Sequence, residues 1–222
     1  MRSDSLLALF TLVTAEDVCG ISDYPVASFP ITHTFVPSNV DIVNGALRLK
    51  VTGQSGKSDV KSAEVGTYAH DIRYGIFTTI AKLTHVPGVC FGAFTYTSDN
   101  AEIDIEALSS YYNKANRDSV PPGLEFTNQP LNDGQQSTNT AVPYGFDPTA
   151  DFHNYTIVWN AKSSQFYVDG KLRKTVTTNV PQIGASFLWN AWSSGDPNWS
   201  AGPPKQDAYT LIKSVHLKYT TV

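Results

Sequence analysis

The segment Glu102-Ile103-Asp104-Ile105-Glu106 has the residue types and spacing that most directly suggest chemistry. In an extended strand alternate side chains share a face, so Glu102, Asp104 and Glu106 line one side. Ala101, Ile103, Ile105 and Ala107 line the other and turn towards a core. Neighbouring acidic Cα atoms then stand ~6.5 Å apart and the outer pair ~13 Å apart. Three aligned carboxylates disfavour full ionisation, so one stays protonated to higher pH and can serve as a general acid. The pattern suits paired-carboxylate chemistry on a glycosidic bond. Inward-leaning Glu side chains can approach the ~5–5.5 Å of a retaining pair or the ~6.5–9.5 Å of an inverting pair. The spacing does not choose between them. A solvated edge strand whose charges discourage further pairing is the competing reading.

An acidic strand does chemistry only if a rigid scaffold holds it, and the rest of the chain reads as strands. Asp41–Val51 is two apolar runs around Asn44-Gly45, a strong hairpin signal. Tyr74–Leu83, Val89–Thr97, Tyr155–Trp159, Gln165–Val168, Lys171–Thr177, Ser186–Trp192 and Ile212–Tyr219 are rich in β-branched and aromatic residues. Asp169-Gly170 marks a further turn. Ser109–Ala150 is rich in Asn, Asp, Gly and Pro and reads as long loops around a few short strands. Helical periodicity is nearly absent. The expected fold is an all-β sandwich or barrel in one domain.

Composition narrows the function. The 222 residues are 41% hydrophobic, 12% aromatic and only 16% charged, with a net charge of -4, so a disordered polyampholyte or a coiled coil is excluded. No basic run exists to bind phosphates, so nucleic acid is not an expected partner. No apolar run reaches the roughly 18 residues of a membrane span. Leu6–Val13 followed by Val13-Thr14-Ala15 reads as a secretory leader over residues 1–15, with the domain over 16–222. The same run also fits an ordinary strand. Secretion would favour a disulfide between the only cysteines, Cys19 and Cys90, against two buried thiols. Cx2C and HxH spacings are missing, and no metal or cofactor is expected.

Glu102-Ile103-Asp104-Ile105-Glu106 resembles the ExDxE signature of glycoside hydrolase family 16. The resemblance runs from about Phe35 to Tyr219. Asn39–Leu49 is similar to the family's early hairpin, and Ser62-Ala63-Glu64 with Arg73–Phe77 to the stretch before the catalytic strand. Phe152–Trp159 matches FHxYxxxW, Phe166–Gly170 resembles WYVDG, and Trp189-Asn190-Ala191-Trp192 resembles the NxW strand. The uninterrupted ExDxE form is similar to the branch that contains lichenases, xyloglucan transglycosylases and fungal cell-wall transferases. Ala107 departs from the Phe or Trp usual in that branch, and Lys213 falls near an Asp with which many relatives bind calcium.

The resemblance implies a jelly-roll sandwich of two antiparallel sheets whose concave face holds a β-glucan chain. Glu102 would be the nucleophile of a retaining double displacement, Glu106 the general acid/base, and Asp104 the group that sets the charge of the nucleophile. Trp192 and Trp199 would be sugar platforms, and Asn190 would contact the sugar next to the cleavage point. Asn128 would be a second groove Asn, Glu64 a further groove carboxylate and His153 a supporting group. Trp189 fits the groove or the core, Trp159 the core, and Tyr111 and Tyr112 a cleft edge or a loop filling. The implied activity is a secreted endo-β-glucanase, expected as a monomer. A transglycosylase with the same carboxylates and a non-catalytic lectin-like module on the same sandwich are the alternatives.

Overall fold

The computed structural model describes residues 6–10, 19–56, 58–112, 114 and 120–222. Their regular structure is almost entirely strand: β1 (Leu6–Phe10), β2 (Cys19–Ile21), β3 (Tyr24–Val26), β4 (His33–Phe35), β5 (Val40–Val43), β6 (Ala46–Val51), β7 (Val60–Thr67), β8 (Ile72–Lys82) and β9 (Cys90–Ser98). There follow β10 (Ala101–Leu108), β11 (Leu124–Asn128), β12 (Thr138–Val142), β13 (His153–Asn160), β14 (Ser163–Val168), β15 (Lys171–Val176), β16 (Ser186–Trp192) and β17 (Ala208–Thr221). A single 3-10 turn, Pro37–Asn39, precedes β5 among the described residues.

The strands form two sheets packed face to face, the jelly-roll sandwich expected. One sheet runs β15-β14-β13-β8-β17-β6-β5, with β1 beside β17. The other runs β12-β11-β10-β9-β16-β7-β4-β3, with β2 beside β7. Pairing is antiparallel except where β4 meets β7. Both expected hairpins form, with Asn44-Gly45 and Asp169-Gly170 each at positive φ, as a two-residue turn matching strand twist requires.

The core lies between the sheets. Ile103 and Ile105 of β10 point into it and are at most 1% exposed. Phe77 of β8 stacks on Phe187 of β16 at 4.9 Å, and Phe126 of β11 on Phe166 of β14 at 4.7 Å. Trp189 of β16 donates its Nε1–H to Thr79 Oγ1 of β8 at 2.7 Å, so this buried indole is fully satisfied across the sheets. Trp159 is likewise buried and donates to the carbonyl of Pro181.

Several expectations are corrected here. β7 carries no clean alternation in Val60–Thr67, and it, β2, β3 and β4 are strands beyond those that the sequence predicts. The expected Cys19–Cys90 disulfide is absent, and both thiols are free. Register explains why. Cys19 pairs with Thr67, and Gly66 pairs with Leu188, itself opposite Phe94. Cys19 therefore sits level with residue 95 on β9, three strands away and five residues along from Cys90. That is ~17 Å along the strand direction alone, against the ~4.4–6.8 Å between Cα atoms that a disulfide allows. Within the segment read as a leader, Leu6–Phe10 pairs with Val215–Tyr219 of β17. Its expected cleavage site, Val13-Thr14-Ala15, lies outside the described residues.

Candidate active site

The outer face of the β10-bearing sheet holds a cleft of about 740 Å³. Its composition follows from strand register. Glu106 of β10 faces Gly92 of β9, Gly92 faces Asn190 of β16, and Asn190 faces Glu64 of β7. In the next row with the same facing, Asp104 stands opposite Phe94, and Phe94 opposite Leu188. Glu102 stands opposite Tyr96. Glu102, Asp104 and Glu106 thus enter the cleft together with Glu64, Asn190, Trp192 and Trp199.

Each carboxylate has a distinct environment. Burial lifts the Glu102 carboxyl to about 7; the charges of Glu106, Asp99 and Glu64 push the same way, and a hydrogen bond with Asp104 opposes them. Burial and the flanking charges of Glu102 and Glu106 raise Asp104 well above the usual carboxylate range. Their mutual hydrogen bond favours the charged form of Glu102 and the neutral form of Asp104. Gln129 Nε2 donates to Asp104 Oδ2 at 3.1 Å and fixes the other side of that group. Burial also raises Glu106, while hydrogen bonds from Cys90 and Trp199 favour its ionised form. Both donors converge on one atom: Cys90 Sγ lies 3.3 Å and Trp199 Nε1 3.2 Å from Glu106 Oε1.

The loop after β16 that brings Trp199 to this point is tied down locally. Tyr111 donates its hydroxyl to the carbonyl of Pro197 at 2.6 Å. Tyr111, Cys90, Leu108 and Val120 form a small apolar cluster beneath Trp192 and Trp199. Trp192 itself stacks on His33 of β4, with centroids 4.9 Å apart and planes 22° apart. Burial lowers His33 to about 4, so it is a neutral ring near pH 7, and its Nδ1 is hydrogen-bonded with Ser28 Oγ.

At the far end, Glu64 accepts hydrogen bonds from Ser22 Oγ and Tyr24 Oη, both 2.7 Å from Oε1. Asn190 Nδ2 donates to Glu64 Oε2 at 3.3 Å. Burial raises Glu64, against these three hydrogen bonds. Gly92 stands between Asn190 and Glu106, and a side chain there would displace Asn190. A Cβ on Gly92 would lie 2.6 Å from Asn190 Oδ1, a buried oxygen with no partner of its own.

Three expected site residues lie elsewhere. Trp189 faces the core, because Asn190 beside it on β16 faces the cleft and neighbours in a strand take opposite sides. Asn128 is opposite Ile103, shares its inward face, and donates to the carbonyl of Thr178. Gln129, one residue on, makes the contact to Asp104. His153 belongs to β13 of the other sheet, where it binds Asp169 at 2.8 Å and stacks on Phe146. Tyr112 fills the core edge and donates to the carbonyl of Thr84. The residues that sequence reasoning missed are Ser22, Tyr24, His33, Cys90 in its role as a donor, and Gln129. Strand parity from Asp104 onward could not have found Gln129, since the β10–β11 register is not written locally.

The profile described as Glycosyl hydrolases family 16 matches residues 30–208. A β-glucanase of Bacillus licheniformis is 30% identical over 197 residues, covering 84% of this chain and 74% of that protein. A β-glucanase of Paenibacillus polymyxa is 27% identical over 175 residues, covering 75% of this chain and 67% of that protein. The solved structure of the Bacillus licheniformis β-glucanase superposes with a TM-score of 0.77 at 24% identity over 100% of both chains, a likeness of fold.

Proposed function

The chain belongs to family 16 of the glycosyl hydrolases, and from that premise we propose that it is a retaining endo-β-glucanase acting on β-1,3/1,4-glucan or a related cell-wall glucan. The observation that carries the reading is the row Glu102, Asp104, Glu106 in the cleft, with two donors held on Oε1 of Glu106. The names of the Bacillus and Paenibacillus relatives support the substrate class.

In the first step an ionised Glu102 oxygen attacks the anomeric carbon. The glycosidic bond breaks, and Glu106 gives its proton to the departing sugar oxygen. With Oε1 taken by Cys90 and Trp199, the proton sits on Oε2 of Glu106. Asp104, protonated, donates to Glu102 and favours its anionic form before attack. In the second step Glu106 takes a proton from water, and the hydroxide oxygen displaces Glu102 from the anomeric carbon. Both groups return to their starting states. Asn190 and Glu64 offer a polar pair to sugar hydroxyls, and Trp192, with one face stacked on His33, would offer only its other face to an apolar sugar ring.

The test is product analysis on mixed-linkage glucan, laminarin, xyloglucan and chitin oligomers, with parent and E102Q side by side. Oligosaccharides from one polymer, lost by several orders of magnitude in E102Q, are expected. Activity of E102Q within a few-fold of the parent would overturn the assignment. Proton NMR of the first-formed anomer tests retention. Longer products from a labelled acceptor would move the reading to a transglycosylase, and binding without turnover to a lectin-like module.

A further inference from the structure

The strand beside β10 carries a carboxylate that this reaction does not use. Glu125 of β11 lies directly opposite Glu106 in the ladder, so both side chains leave the same face of the sheet. Cβ atoms of such pairs stand ~4.5–5.5 Å apart, and like charges placed this way repel. Glu125 is 1% exposed, and neither of its oxygens has a hydrogen-bond partner within bonding distance. Asn139 of β12 gives one amide hydrogen to Thr127 Oγ1 at 2.8 Å, and its second is near enough to favour the ionised form of Glu125. A buried carboxylate with no donor within bonding distance is costly, and two that face each other cannot both ionise cheaply.

We propose that Glu106 and Glu125 share one proton as a coupled pair, with Glu125 the positioning residue that keeps this proton available to Glu106. The proposal rests on the reading of Glu106 as the general acid/base. The groups around the pair divide by sign. Cys90 of β9 and Trp199 of the loop after β16 donate to Glu106 and stabilise its anion. Glu102 and Asp104, on the same strand, disfavour that anion when charged. Facing Glu125 are Glu106, Asn139 and, close by, the phenol of Tyr144. Without Glu125 the two donors on Oε1 would act against fewer opposing charges, and Glu106 would lose its proton at lower pH. A pair that holds one proton delivers it to the leaving sugar oxygen and takes it back from water, with no change in the proton count over a cycle. Such a pair titrates in two macroscopic steps, and the upper one sets the alkaline limit of activity.

The variant E125Q keeps size and removes the charge. Its kcat/KM profile on mixed-linkage glucan should lose activity about one pH unit earlier on the alkaline side than the parent, with the plateau within a few-fold. Carbon-13 NMR of the free protein, with labelled Glu carboxyls, should show the Glu106 titration falling by the same amount. An alkaline limb and a Glu106 titration that both stay in place would overturn the proposal and leave Glu125 a structural residue. Should the parent cleave no glucan, the proposed function fails, and the NMR titration alone decides the coupling. Should E125Q not fold, E106Q runs the test in reverse, because coupling is reciprocal: the Glu125 titration falls if the pair is coupled, and an unmoved one overturns it.

Discussion

Replacing Trp199 with Phe isolates one hydrogen bond at the centre of the proposed reaction. The indole Nε1–H donates to Glu106 Oε1 at 3.2 Å and favours the anion of Glu106. Phe keeps an aromatic face over the apolar cluster of Cys90, Leu108, Tyr111 and Val120 and removes only the donor and one ring. A hydrogen bond to a charged group contributes about 1.5–3 kcal/mol. This one is at the long end of the N–H···O range, and Cys90 still serves the same oxygen, so about 1.5 kcal/mol is the loss to expect. At 1.36 kcal/mol per unit, the Glu106 carboxyl rises by about one pKa unit. The general acid then keeps its proton to higher pH, and the alkaline limb of kcat/KM moves up by about one unit, opposite in sign to E125Q. The assay is kcat/KM on a soluble β-glucan across pH, for parent and W199F. Any loss of contact with the sugar would raise KM and lower the plateau, but it would not move the limb. A limb that stays put or moves down, in a folded variant, would refute the idea that Trp199 sets the ionisation of Glu106.

Other consequences can be checked separately. W189F removes the buried bond to Thr79 Oγ1 and part of the core, and should cost about 2–3 kcal/mol in urea unfolding with little change in kcat per folded molecule. G92A places a methyl group 2.6 Å from Asn190 Oδ1, so Asn190 swings off Glu64 and kcat/KM falls about tenfold; unchanged kinetics would mean Asn190 touches no substrate. Burial lifts Glu125 to about 7, above the ~4.3 of an unfolded chain. Between these values the folded state binds more protons than the unfolded one, so stability falls as pH rises from about 4.3 to about 7. E125Q should remove up to about 3 kcal/mol of that decline, measured as urea midpoints at several pH values.

What could be read along the chain was what depends on neighbours in sequence. The alternation of Glu102, Asp104 and Glu106 with Ile103 and Ile105 is a property of one strand, and it survives unchanged in the fold. The turns at Asn44-Gly45 and Asp169-Gly170 are equally local, because positive φ is a preference of the residues themselves. β7 escaped notice because Ser62, Ala63, Glu64 and Val65 are all buried, so the polar–apolar contrast that marks a half-buried strand is missing. Parity does go one step further: once Asn190 faces the cleft, Trp189 has to face the core.

The tertiary structure decided which strands became neighbours and at what register. A one-residue slip of β11 against β10 would turn Asn128 outward and take Gln129 off Asp104 and Glu125 off Glu106. The stagger of β2, β7, β16 and β9 parted Cys19 from Cys90 and left the second thiol as a donor to Glu106. The order of the sheets sent His153 to the far side of the sandwich. None of this is encoded within a strand. It is selected by packing two apolar faces over long loops, and the row of Glu64, Asn190, Gly92, Glu106 and Glu125 exists only once five strands have met.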